Sequence, residues 1–181
     1  MKTKTTQLIQ HLSHEIEDEE KAELYLEDSL PLIGLVVMYF NALEKSLDSV
    51  LCETVTDRTD IPGLIIIQKL SYGAKVDLFK RFCDDLHLSG SGVIDGFEKL
   101  IADLTDVGKL RNLVVHADWE NTDHDGYTYV RLKTTAKGME QEYVQFSAES
   151  LEKLADRIIT LRNDLYEYWE RRNKAIWGPR A

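Results

Sequence analysis

A chain of 181 residues, 43% hydrophobic and 30% charged, is one domain's worth, with a single sizeable core. Its net charge of −10 excludes a protein that binds nucleic acid through its whole surface; only a local basic patch or an active-site cleft can do so. The two cysteines, Cys52 and Cys83, have no metal or redox spacing, the start MKTKTTQLIQHL has no signal-type apolar core, and the longest apolar run, Leu32 to Phe40, is about half a bilayer span. A cytoplasmic protein without membrane contact is expected.

Leu8, Leu12 and Ile16 recur at steps of four and predict a helix within residues 3–28, followed by an acidic segment at about 14–28 that reads as a solvated face. His11 and His14 are three apart, a spacing that can ligate metal. Among acidic neighbours they read as surface, so neither a metal nor another cofactor is expected. Ser29 reads as the N-cap of the next helix, with Pro31 in its first turn and its end near Thr54. Val36, Phe40, Leu43, Leu47 and Val50 form its apolar seam. Glu44 lies at the seam's edge, where a carboxylate needs a cation.

Thr56 to Gly63 reads as a linker and Leu64 to Ile67 as a short apolar turn. Tyr72 to His87 is a third amphipathic helix, with Tyr72, Val76, Phe79, Cys83 and Leu86 on one side, and Ser89 to Gly92 ends it. The central helix spans Val93 to Asp118. On its seam of Val93, Phe97, Leu100, Leu104 and Val107, the next step falls on Arg111, then Val115. A guanidinium stays charged, so its place in an apolar face demands a partner or a solvated site. Glu44 is the candidate partner. Five residues after Arg111 comes His116, the side chain suited to moving a proton near neutral pH.

After Asp118 the period changes. Trp119 to Asp125 reads as a loop. Two strands follow at Tyr127–Thr134 and Met139–Phe146, making a hairpin at about 127–146 around Ala136-Lys137-Gly138. Val130 and Leu132 should lie over Val144 and Phe146, with Arg131 and Tyr143 on the other face. Ser147 caps a last long helix to about Ile176, whose seam is Leu151, Leu154, Ile158, Leu161, Leu165 and Trp169. The expected fold is mainly α: an antiparallel helical bundle of four to five helices, residues 1–181 as a single domain, with one β-hairpin inserted before the last long helix.

The string Arg111-Asn112-Leu113-Val114-Val115-His116 resembles the signature of the HEPN superfamily, Arg followed by four to six residues and His, with a polar residue after the Arg. Leu70 to Phe79 (LSYGAKVDLF) is similar to the Gly-Lys element that opens the preceding helix in several branches. Glu44 matches the acidic residue that many members carry on an early helix. The spacing alone is not diagnostic, since Arg81 and His87 also satisfy it. Arg81, however, lies opposite its helix's apolar face, and no Asn follows it. Arg162-Asn163 repeats the dipeptide with no histidine at the right distance.

The resemblance implies a metal-independent endoribonuclease of toxin or phage-defence type, acting as a homodimer on RNA, with an antitoxin or defence protein as a further partner. Arg111 and His116 would be catalytic and Asn112 and Glu44 supporting. The alternative expectation is a non-enzymatic dimerisation or partner-binding module. The tyrosine that some toxins carry two residues after the histidine is replaced here by Asp118.

Overall fold

A computed structural model describes residues 1–8, 16–56, 61–136 and 138–178. His11 and His14 lie outside the described residues, as do part of the 56–63 linker and Lys137 of the hairpin turn. The chain is mainly α, with helices α1 (Glu19–Thr56), α2 (Ile61–Ile67), α3 (Tyr72–Leu86), α4 (Phe97–His116) and α5 (Ala148–Trp177). Four strands, β1 (Lys2–Gln7), β2 (Asp118–Thr122), β3 (Tyr127–Thr135) and β4 (Gly138–Gln145), form one antiparallel sheet in the order β1-β4-β3-β2. The residues cluster into two compact units, Met1–Met38 with Leu110–Ala155, and Tyr39–Lys109 with Asp156–Ala181.

The first unit holds the sheet, and here the sequence reading needs four corrections. Lys2–Gln7 is a strand rather than the start of a helix, pairing with β4 from Lys2↔Gln145 to Gln7↔Glu140. KTKTTQ has no apolar stripe for a helix to bury, its threonines favour extended backbone, and its lysines suit a sheet edge. Lys4 Nζ also reaches the buried Asp123 at 2.7 Å, tying the edge strand to the β2–β3 turn. The supposed loop after Asp118 is likewise a strand, β2, and the hydroxyls of Thr122 and Thr128 meet at 2.9 Å where it joins β3.

The third correction concerns facing. Val130 is an extra residue between the Tyr129↔Tyr143 and Arg131↔Glu142 pairs. This bulge moves Arg131 off the Tyr143 face and onto Glu142, which also accepts from Lys133 at 2.6 Å. Fourth, Ser29 caps nothing. It lies inside the 38-residue α1 and donates to Tyr25 O at 2.8 Å, and Pro31 is interior too. The Tyr25 hydroxyl in turn bonds Phe146 O beyond the end of β4, and its ring crowds Gly126, whose φ of +78° and missing Cβ that turn requires.

In the second unit the expected seams are buried. Phe40, Leu43, Leu47 and Val50 of α1, Val76, Phe79 and Cys83 of α3, and Ile158, Leu161, Leu165 and Trp169 of α5 are all 7% exposed or less. Cys52 and Cys83 are buried and not joined in a disulfide, and burial pushes the Cys83 thiol up to about 11. Ser71 caps α3 by accepting from Ala74 N at 3.3 Å. The α3–α4 contact is close at Gly108, where a Cβ would come within 2.8 Å of the Tyr72 ring, and the Tyr72 hydroxyl donates to Leu104 O at 3.1 Å. α4 begins at Phe97, so Val93, expected on its seam, stands outside the helix and 71% exposed.

Candidate active site

The last two turns of α4 carry Arg111, Asn112 and His116. Leu104, Val107 and Val114 are fully buried on this helix, and Arg111 sits in step between Val107 and Val114. It is half-buried, with Nε out of contact with solvent, while Asn112 and His116 are exposed. The apolar line therefore runs through Val114 and not, as the spacing suggested, Val115, which is only half-buried.

Five residues of helix turn about 140° and rise about 7.5 Å, so Arg111 and His116 leave the helix in different directions. Asn112 links them. Its Oδ1 accepts from Arg111 Nη1 at 3.1 Å, and it stands four before His116, one turn away on the same face.

The helix end is held by tertiary contacts. Trp119 of β2 donates its indole N–H to Val114 O at 2.8 Å, taking a carbonyl that the terminating helix would leave without a partner. The same ring packs on Phe146 with centroids 5.1 Å apart. This places His116 as the last helical residue, just before the strand. Asp118, two residues on, accepts from Asn121.

At Glu44 stands a cation that the helical spacing does not point to, Lys75, its Nζ 2.8 Å from Glu44 and 2.8 Å from Asp48. Lys75 is 5% exposed. Burial presses its pKa down, but the hydrogen bonds it donates to Asp48 and Glu44 outweigh that and leave it raised. A signal was present in the sequence: Glu44 and Asp48 are a like-charged i, i+4 pair, and Lys75 stands four before the core residue Phe79. The second Arg–His spacing separates as expected in water: Arg81 is exposed and paired with Asp77 at 2.8 Å. His87 packs edge-on against Phe97 and accepts from Ile94 N at 3.4 Å.

Among the described residues no group of three or more His, Cys, Asp or Glu side chains is placed to hold a metal ion. What the α4 terminus offers is a proton carrier, a planar cation and an amide between them. The chain matches no family model, no curated protein and no solved structure.

Proposed function

We propose that this chain is a metal-independent endoribonuclease of toxin or phage-defence type, a cytoplasmic HEPN-like antiparallel bundle acting as a homodimer. The observation that carries the reading is the Arg111–Asn112–His116 arrangement at the solvent-facing end of α4. RNA brings its own nucleophile. The 2′-OH attacks the adjacent phosphorus, its proton passes to an imidazole, and the 5′-oxygen leaves with a proton from an imidazolium, giving a 2′,3′-cyclic phosphate. The Arg111 guanidinium stabilises the added charge on the phosphoryl oxygens with its planar donor pair.

One chain has one such histidine, diverging from its arginine. Two motif helices about a two-fold axis would supply both proton transfers and two cations, concentrating positive charge on an otherwise acidic protein. Exposed apolar residues suited to a second copy are present: Leu30 and Met38 on α1, and Ile61, Leu64, Ile65 and Ile66 on α2. By length and composition α1 also suffices to cross a membrane, and only 22% of its apolar stretch is buried. That exposure is assigned here to association between copies.

The test is the product. Cleavage should persist in EDTA, leave a 2′,3′-cyclic phosphate, and fail on DNA and on RNA methylated at the 2′-oxygen of the cut site. EDTA-sensitive cleavage, or cleavage of DNA, overturns the mechanism. RNA left intact at every protein concentration favours the second reading, a non-enzymatic partner-binding module, for which the apolar α2 surface is the supporting feature.

A further inference from the structure

We infer that Arg162 and Tyr166 form a second contact for single-stranded RNA, with the arginine holding a backbone phosphate and the tyrosine ring stacking on an unpaired base. The identity of the ligand rests on the ribonuclease reading. The site rests on how these two side chains are held.

On a chain with 32 acidic against 22 basic residues, carboxylates are plentiful partners for arginine. Arg81 pairs with Asp77, Arg131 with Glu142, and Arg157 with both Asp103 and Asp106. Arg162 makes no ion pair among the described residues. Its Nε instead donates to Ser46 Oγ at 3.1 Å. One helical turn later, the Tyr166 hydroxyl bonds the same oxygen at 2.9 Å. Ser46 is 3% exposed and passes its own proton to Ala42 O at 3.0 Å. With one donor and two acceptor positions, its hydroxyl is fully used by these three bonds.

The consequence is a tethered guanidinium with no carboxylate within ion-pair distance among the described residues. Anchoring through Nε leaves the two terminal nitrogens, the pair that grips a phosphate in bidentate fashion, at the far end of the guanidinium. The Tyr166 ring, also held by its hydroxyl, is 40% exposed, and the Arg162 Cζ lies 5.9 Å from its centroid. A tethered arginine beside a half-exposed aromatic ring is the pairing by which proteins hold single strands, phosphate to cation and base to ring. Arg162-Asn163 repeats the dipeptide of the α4 motif but lacks its histidine, so the contact binds and does not cut.

The experiment is fluorescence anisotropy with a labelled 2′-O-methyl RNA strand, which binds but cannot be cleaved, alongside steady-state kinetics on unmodified RNA. Tyr166→Ala should weaken binding about 5–100-fold, as loss of one stacked base does. Arg162→Ala should weaken it and lower the slope of log affinity against log salt by about 0.7, one phosphate's share on a single strand. Both should raise KM and leave kcat unchanged, while Arg81→Ala should match wild type throughout. Wild-type affinity, salt slope and KM in both variants overturn the inference, as does failure of the wild type to bind the strand. If the wild type binds in an Arg162-dependent way but cuts nothing, the ribonuclease reading falls and this site stands. If it cuts with KM indifferent to both substitutions, only this site falls.

Discussion

Two cations interrupt apolar helical faces in this protein, and they end differently. Lys75 on α3 is 5% exposed, clamped at 2.8 Å by each of Glu44 and Asp48. Arg111 on α4 is half-buried, and on its outer side it meets the neutral amide of Asn112, beside the exposed His116. Two carboxylates around a buried ammonium saturate its charge, and nothing is left over for a ligand. Under the proposed function, the guanidinium beside that amide at a solvent-facing helix end is the one that meets an incoming phosphate. A cation in an apolar seam is thus not in itself a sign of chemistry, as the Lys75 triad shows.

The contrast can be broken at four points, in falling order of effect. His116→Ala should cut the rate of RNA cleavage by about 10²–10⁴-fold, the usual worth of a positioned acid–base group, and leave the melting temperature unchanged because the side chain is exposed. A matching loss of melting temperature would make His116 structural, like Lys75.

Lys75→Met should do the reverse, lowering unfolding free energy by about 3–5 kcal/mol as two half-buried carboxylates lose their cation. Denaturant titration reads this directly, and a neutral outcome would show the triad to be no stronger than an exposed pair.

Glu44→Gln is milder, about 1–3 kcal/mol, since Asp48 still holds the ammonium. The triad also sets a pH limit. The folded state raises the Lys75 pKa above its ordinary 10.5, so its contribution is complete below that value and is lost as pH rises through the raised one. Melting temperature should fall more steeply above pH 10.5 in the wild type than in Lys75→Met.

The smallest effect belongs to Arg81→Ala. Its pair with Asp77 is exposed and four residues apart on one helix, worth about 0.3–0.5 kcal/mol, and cleavage should be untouched. Lost activity in this variant would move the site from Arg111 to the second Arg–His spacing.

Helical periodicity alone was enough to locate α3, the start of α5 and the buried seams of α1, α3 and α5, because a 3.6-residue repeat of apolar side chains has few other ways to leave water. It also marked Arg111, since a charge that falls on an apolar face is visible in one dimension. Strands at the margins escaped it. β1 is polar and mostly exposed, and β2 begins with Asp118, so neither carries an apolar alternation; each exists because a neighbouring strand offers unpaired backbone N–H and C=O groups. The contact of Lys75 with Glu44 escaped for the same kind of reason. Any of the chain's 22 basic side chains satisfies a carboxylate equally well on paper, and only the packing of α3 against α1 selected Lys75. Ser46, Arg162 and Tyr166 meet across more than a hundred residues of chain, with hydrogen bonds that leave no periodic trace, so that cluster exists only in the folded protein.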